Sequence, residues 1–464
     1  MVSFRARKRK PELVIPALPT PHQYKSLSDI DDQHGPRFYP TGNEFFRAQH
    51  LSDPAGAGVD PVRIIRSALA QALVSYYPLA GRLIELPAAG GKLLVDCTAE
   101  GVVFVETNAN TWLEDFGQPP VQPFPCVEEL LCFDDIGEPE GTVTDKPLLF
   151  FQVTRLKDNG FAIGYRYCHS VVDSFGMSKL LDDVYRLARG EALTVPPVWE
   201  REILTGHATP RPIGHKYAAY EAVPAASAAS GDVMVTTPHD QMVFRHFRFR
   251  PREMAAMRSK VPASLLRSTT VYELVTAVVW RCRTAALGYL PHQPVRLLLI
   301  SSIASCGSWK LDSPIPRGYY GNSVVPLTTE PTAGELCGRP LRHALELVRK
   351  RKIEVTDNYV QSMLDLLVQR GRPFFPLDWT FVMSDTSGLS RRKVKLGHWE
   401  RAGGGITTAG RVVRTSVQSY YDRCKGGGGE ECVVVSMCLP PVAMDKFERQ
   451  INSWPKEPKV ISAL

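Results

Sequence analysis

A histidine at the junction of a predicted strand and a predicted helix constrains this chain more than any other feature. Residues 161–168 are mostly apolar, as in a buried strand, and the apolar residues after Ser174 recur at intervals of three and four up to Gly190. His169 follows the strand, and Asp173 precedes the helix. A side chain at such a junction is held by rigid elements and borders a cleft. Since neutral imidazole accepts a proton readily near pH 7, the pattern indicates a general base.

His169 also has a second interpretation as a hydrogen-bonded structural residue at the end of a strand. A histidine and an aspartate at this spacing occur by chance in many chains, so the short motif alone does not decide between the two. The other motifs of the chain decide between the catalytic and the structural interpretation of His169.

The length of 464 residues exceeds one ordinary core and predicts two to three domains. Hydrophobic residues make up 44% and charged residues 22%, which is typical of a soluble globular protein. No apolar run approaches the roughly 20 residues needed to cross a bilayer, and no signal-peptide core follows the basic run at residues 5–10. We therefore expect a cytoplasmic protein with no membrane partner.

The net charge of +7 is modest for this length and lacks the clustering of a dedicated nucleic-acid binder, although it favours a small anionic ligand. The basic run at residues 5–10 has three interpretations: a nuclear address, a phosphate contact or a solvated tail, of which we favour the tail. The last residues, Ser462, Ala463 and Leu464, resemble a peroxisomal address weakly, because alanine replaces its basic residue.

The ten cysteines include no pair at Cys-x-x-Cys spacing, and no histidines show the paired spacing of zinc ligands. We therefore expect reduced thiols and no metal.

Periodicity, caps and turn residues predict a mixed α/β chain. The predicted helices cover residues 61–76, 174–190, 271–287 and 341–355, and the predicted strands cover 92–95, 102–106, 148–156, 161–168, 243–249, 295–303 and 432–438. Residues 196–240 are rich in Pro, Ala, Ser and Gly and are predicted to be a crossover between domains at 1–195 and 241–464. The glycine clusters at 403–405 and 426–429 are predicted to be flexible loops, the second a hairpin tip.

Three motifs, in their order and spacing, resemble the plant BAHD family of acyltransferases. They are YYPLAGRL at residues 76–83, HSVVD at 169–173 and GYYGN at 318–322. The opening of the chain, including LSDIDDQ at 27–33, and its end at 438–447 are similar to the branch of benzyl alcohol O-benzoyltransferases and alcohol acyltransferases.

The resemblance implies two similar-sized α/β domains, each a mixed sheet flanked by helices as in chloramphenicol acetyltransferase, with a channel between them. It implies that His169 lies in the channel as the general base of an acyl-CoA-dependent transfer. It also implies that acyl-CoA is a co-substrate and that no other cofactor or acyl-enzyme is needed. The chain has no Gly-x-Ser-x-Gly elbow that would indicate a serine nucleophile.

The resemblance assigns Asp173 a structural role, turned away from the substrate and supporting the base. Its usual arginine partner aligns here with Ala304. Either another cation replaces that arginine, or backbone hydrogen bonds alone hold Asp173.

The family motif Asp-Phe-Gly-Trp-Gly aligns with residues 395–399, where Lys395 reverses the charge and His398 replaces the indole. His398 is a candidate for oxyanion or channel support, and a surface or structural histidine is the alternative. Asn322, in the third motif, is the other candidate for oxyanion or channel support.

The first hypothesis is transfer of an aromatic or short acyl group, benzoyl first, from CoA to a small alcohol such as benzyl alcohol, by a monomeric enzyme. The alternatives are an impaired member that binds acyl-CoA in a regulatory role, which the departures at Ala304, Lys395 and His398 suggest, and an N-acyltransferase. The sequence does not identify which of the 55 lysines and arginines bind CoA.

Overall fold

The computed structural model describes residues 3–49, 59–87, 90–132, 142–227, 231–303, 315–353, 355–390, 393–407 and 416–454. Ala304 and the C-terminal residues 462–464 lie outside the described residues. In the described ranges no helix is long and apolar enough to span a bilayer.

The strands of the described chain are β1 (Ala6–Lys8), β2 (Glu12–Val14), β3 (Tyr24–Ser26), β4 (Thr41–Ala48), β5 (Arg82–Leu86), β6 (Lys92–Asp96), β7 (Val102–Ala109), β8 (Leu149–Arg155), β9 (Phe161–Tyr167), β10 (Val243–Phe249), β11 (Arg296–Ser302), β12 (Val324–Thr329), β13 (Thr380–Asp385), β14 (Lys395–Leu396), β15 (Trp399–Ile406), β16 (Gln418–Lys425) and β17 (Glu431–Leu439). The helices are α1 (Pro61–Ser75), α2 (Ser174–Ala188), α3 (Val233–Thr236), α4 (Pro251–Arg258), α5 (Ala263–Leu266), α6 (Val271–Leu287), α7 (Ala333–Gly338), α8 (Leu341–Ile353), α9 (Asp357–Arg370), α10 (Ser387–Ser390) and α11 (Pro441–Ser453).

Two large mixed sheets organise these elements. The first has the order β1-β7-β8-β9-β4-β15-β14, with β2 also paired to β7, and the second has the order β10-β17-β16-β13-β11-β12. A small third sheet, β3-β6-β5, completes the N-terminal half. The expected α/β class, with mixed sheets flanked by helices, is confirmed.

Capping residues position the helices as the sequence predicted. The Asp60 side chain accepts a hydrogen bond from the Val62 amide at the start of α1, and Pro61 occupies the first turn. Thr270 and Glu273 form the reciprocal capping box of α6. These local signals set the ends of helices whose apolar faces then pack on the sheets.

The basic N-terminal run is not a solvated tail, so that prediction is wrong for its centre. Residues 6–8 form β1, which pairs antiparallel with β7. Phe4 is buried against Phe116, with ring centroids 5.6 Å apart. The Lys8 ammonium donates to the Leu131 carbonyl at 2.8 Å. An apolar anchor thus holds a charged edge strand on the sheet.

The first glycine cluster is also not a flexible loop, because residues 403–405 lie inside β15 and pair with β4. A Cβ on Gly404 would lie 2.2 Å from the Asn43 carbonyl oxygen, and a Cβ on Gly403 would lie 2.3 Å from that of Pro120. Glycine is needed there for close backbone approach. The second cluster lies at the β16–β17 hairpin tip, as predicted.

The chain returns from the second sheet to the first through β14 and β15. Leu396 and Trp399 of this hairpin are buried in the core of the N-terminal half, and Tyr320 joins the same core. In the segment 196–240, Arg201 and Leu204 are almost fully buried. The domain boundaries at 195 and 241 stay a prediction.

Candidate active site

His169 lies two residues after the end of β9, in a loop at residues 169–173 that we call the His169 loop. Its backbone N–H donates to the Phe38 carbonyl at 2.9 Å, and its ring centroid lies 5.1 Å from that of Phe38. The imidazole borders a cavity, and its Nδ1 atom is buried with no hydrogen-bond partner in the described chain. Because Nδ1 is closed to solvent, we take Nε2 as the ring nitrogen available to a substrate.

Burial lowers the pKa of His169 below its usual value of 6.5. The backbone of His169 itself, the Asp31 charge and the Asn322 side chain act in the opposite direction. The imidazole is therefore neutral at pH 7, which is the form that accepts a proton.

The cavity has a volume of about 480 Å³ and is lined by both halves of the chain. Most of its wall is apolar or aromatic: Ile30, Phe38, Tyr39, Tyr220, Leu298, Ile300, Val324, Met363, Leu367, Phe374, Phe375, Leu377 and Val382. A few polar side chains join them: Gln33, Arg37, Arg166, Asn322, Ser384 and Gln418. An apolar wall with few polar groups is typical of a site for a small organic molecule.

Asp173 does not face the cavity but caps α2. Its carboxylate accepts the Gly176 amide at 2.8 Å and the Ser323 amide at 3.4 Å. Burial raises the pKa of Asp173 to about 6, against the lowering by these two amides and by the Arg201 charge. Backbone donors therefore hold Asp173, and the charge of the buried Arg201 also acts on it, so the backbone does not support it alone.

Asn322 lies at the cavity and reaches the His169 loop. Its Nδ2 atom donates to the His169 carbonyl at 2.7 Å and to the Asp31 carboxylate at 2.7 Å. It contacts the base through the backbone.

The sequence analysis missed two residues of this site. Asp31 accepts the bonds from Asn322, and the Arg201 guanidinium lies 3.4 Å from the same carboxylate. Asp31 lies within LSDIDDQ, where consecutive acidic residues among apolar ones were the available signal. Arg201 lies in the predicted crossover and gave no sequence signal.

The hairpin of β14 and β15 lies apart from the cavity. His398 packs on Trp399 with ring centroids 3.7 Å apart, and burial lowers its pKa. The Trp399 indole donates to the Asn159 carbonyl at 2.8 Å, and Lys395 is exposed. Neither Lys395 nor His398 is among the described residues that line the cavity, so the structure does not bring His398 to His169.

The sequence profile of the Transferase family matches residues 4–453 of the chain. The chain belongs to this family, the BAHD acyltransferases. It is an acyltransferase, as the sequence predicted.

Relatives of this BAHD protein cover nearly the whole chain. It is 45% identical to "Acyl transferase 1" of Oryza sativa subsp. japonica, over 97% of this chain and 96% of the relative. It is 41% identical to "Spermidine hydroxycinnamoyltransferase 1" of the same organism, over 92% of this chain and 94% of the relative. It is 40% identical to "Benzyl alcohol O-benzoyltransferase" of Petunia hybrida, over 98% of this chain and 94% of the relative.

Solved structures share the BAHD fold at low sequence identity. Vinorine synthase matches with a TM-score of 0.71 at 18% identity, covering 97% of this chain and 98% of that one. F. graminearum TRI101, solved with coenzyme A and deoxynivalenol, matches with a TM-score of 0.66 at 13% identity, covering 92% and 97%. These likenesses confirm the two-domain fold.

Within the described ranges of this BAHD protein, no group of three or more His, Cys, Asp or Glu side chains is placed to hold a metal ion.

Proposed function

We propose that the protein is an acyl-CoA-dependent O-acyltransferase that transfers an aromatic or short acyl group, benzoyl first, to a small alcohol such as benzyl alcohol. The observation that carries the proposal is the neutral imidazole of His169 at the edge of an apolar cavity between the two halves. The family supports an acyl-CoA donor, and the Petunia hybrida relative supports the benzoyl and benzyl alcohol pair.

In the proposed reaction, Nε2 of His169 accepts the hydroxyl proton while the alcohol oxygen attacks the thioester carbonyl carbon. The new carbon–oxygen bond forms, the carbon–sulfur bond breaks, and the imidazolium returns the proton to the CoA thiolate. The products are the ester and free CoA. A positioned base contributes about 10²- to 10⁴-fold to such a step.

The charge of the cavity favours an alcohol acceptor over a polyamine. Among the described lining residues the charged side chains are Arg37 and Arg166, and none is a carboxylate. A polyamine carries several positive charges at neutral pH and finds no carboxylate among the described lining residues to pair with them, whereas a neutral alcohol needs no such partner. This distinguishes the proposed acceptor from the one named for the spermidine relative.

An active enzyme is favoured over a regulatory acyl-CoA binder. Two of the departures from the family pattern, Lys395 and His398, lie in the hairpin outside the described cavity wall. A change there leaves the surroundings of His169 intact.

The test uses purified protein, benzoyl-CoA and benzyl alcohol, with thiol release and ester formation measured together. We expect both products from the wild type, none from spermidine as acceptor, and a loss of at least about 100-fold in kcat/KM for His169→Ala. His398→Ala is the matched control and is expected to retain activity within about twofold.

Unchanged turnover in His169→Ala would remove the base from the mechanism. If the wild type forms no product across a panel of acyl-CoAs, alcohols and amines, while acyl-CoA still raises its melting temperature, the regulatory alternative is correct.

A further inference from the structure

Three buried polar side chains from distant segments meet beneath the His169 loop. Asp31 precedes β4, Arg201 lies between the two sheets in sequence, and Asn322 precedes β12. All three are at most 1% exposed. Buried charged and amide groups are costly unless they are paired, so this cluster needs an explanation.

The hydrogen bonds of the cluster lead to the base. Asp31 Oδ1 accepts from the backbone N–H of Asn322 at 2.9 Å and from its Nδ2 at 2.7 Å. The same Nδ2 donates to the carbonyl of His169 at 2.7 Å. The Nδ2 group of Asn322 therefore donates both to a carboxylate and to the peptide carbonyl of the base.

Arg201 holds the opposite end of this arrangement. Its guanidinium lies 3.4 Å from Asp31 Oδ2 and donates to the Val171 carbonyl at 2.8 Å, so it also binds the His169 loop. Aromatic rings surround it, with Trp199 at 4.3 Å and both Tyr319 and Tyr320 at 5.0 Å. Such rings stabilise a desolvated cation.

We propose that Asp31, Asn322 and Arg201 are positioning residues of the acyl transfer, which hold the His169 loop from behind and keep its imidazole directed into the cavity as a base. The inference rests on the proposed role of His169. It gives the buried carboxylate of Asp31 a second effect, because a negative charge near an imidazole stabilises its protonated form.

The charges around the cluster fix the sign of this effect. Asp31 faces the cation of Arg201 and the neutral hydroxyls of Tyr319 and Tyr320, and Asp173 is the other nearby carboxylate. The Asp31 charge raises the pKa of His169 against the lowering by burial. Removing that charge must lower the pKa of His169, and the acid limb of activity must move to lower pH.

The test is Asp31→Asn, which keeps the side-chain shape and removes the charge. We expect kcat to fall about tenfold, KM to change less than about twofold and the acid limb of the pH–kcat profile to move to lower pH. Asp232→Asn is the matched control. Asp232 is equally buried, but it binds Met234, Tyr289 and Trp379 rather than the His169 loop. Its neutralisation is expected to lower stability and leave the limb in place.

A second readout does not depend on the substrate pair. In histidine-labelled protein, the ring proton signal of His169 is identified by its absence in His169→Ala, and its titration midpoint is expected to be lower in Asp31→Asn than in the wild type. If His169→Ala is inactive while Asp31→Asn leaves both the limb and the midpoint unchanged, the inference is overturned and the proposed function stands. Full activity of His169→Ala would instead overturn the proposed function.

Asn322→Ala supplies the test if Asp31→Asn does not fold, because it removes the link to the His169 carbonyl and leaves the carboxylate. We expect a kcat loss of about tenfold, with the acid limb also moved to lower pH because the Asn322 side chain raises the pKa of His169. Where both variants fold, the double variant should lose little more kcat than the worse single one, since the residues act through one path. Independent, multiplicative losses would contradict the proposal.

Discussion

At the scale of the residue, His169 serves as a base only while its imidazole is neutral. Burial lowers its pKa below 6.5, so the ring stays neutral to a lower pH than an exposed histidine does. As pH falls through that lowered pKa, the ring gains a proton and activity is lost. We therefore expect the acid limb of kcat/KM for benzoyl-CoA and benzyl alcohol to lie below pH 6.5, measured from about pH 4.5 to 8. A limb above 6.5 would indicate that a different group is titrating.

Residue-scale features also explain the glycine that follows the two tyrosines of the third motif. A Cβ at Gly321 would lie 1.0 Å from Nη1 of Arg201. The cation occupies the space that a side chain would need. The motif therefore includes a glycine because Arg201, 120 positions earlier, packs against this backbone. Glycine is the residue that allows such a close approach.

At the scale of the element, α2 depends on Asp173 as its cap. Asp173→Ala removes the acceptor for the Gly176 amide and should lower the free energy of unfolding by about 1 kcal/mol.

Asp173→Asn keeps an acceptor and removes the buried charge. Because burial raises the pKa of Asp173 to about 6 from 3.8, the folded state binds the proton more tightly than the unfolded state, and the wild type loses stability as pH rises from 3.8 to about 6.

The pH dependence of stability in the wild type and in Asp173→Asn tests the direction of this effect. We expect the stability of Asp173→Asn relative to the wild type to increase between about pH 4 and pH 6 and to stay level above about pH 7, as measured by denaturant unfolding at each pH. A difference that stays constant over this range would show that the carboxylate is fully compensated by its amide donors and by Arg201.

Elements with a local signal were predictable from the sequence. The strand predicted at residues 243–249 is β10, and the Thr270 capping box starts α6. β15 was not predictable, because its run of glycines indicates a loop until the neighbouring strand is in place. The Asn43 backbone that comes close to Gly404 belongs to β4, and only the assembled sheet brings the two together. Strand pairing at long sequence separation overrides local propensity there.

At the scale of the whole molecule, the site depends on contacts that the sequence does not specify. The motifs indicated His169, Asp173 and Asn322, but the partner of Asn322 is Asp31, 291 residues away. No sequence pattern around Arg201 distinguishes it from exposed arginines. Its role follows from burial, which is a property of the assembled halves.

The two halves are also joined near the mouth of the cavity by a buried ion pair between Arg372 and Asp32, at 2.9 Å. Pro373 and Phe374, directly after Arg372, line the cavity. Arg372→Ala leaves Asp32, which is 3% exposed in its side chain, with Arg37 at 3.5 Å as its remaining cation. Removing one partner of a buried pair is costly, so we expect a loss of about 2 to 4 kcal/mol in the free energy of unfolding.

The same change should raise KM for the alcohol more than it lowers kcat, because the mouth of the cavity loosens while His169 keeps its surroundings. Arg370→Ala is the matched control, two residues away. Its ion pair with Glu221, at 2.7 Å, is exposed: 40% of the Arg370 side chain and 47% of the Glu221 side chain are accessible to solvent. Loss of this pair should lower the free energy of unfolding by less than about 1 kcal/mol and leave KM unchanged. Equal stability losses in the two variants, with equal KM, would mean that packing alone joins the halves and that the buried charge pair does not shape the entrance.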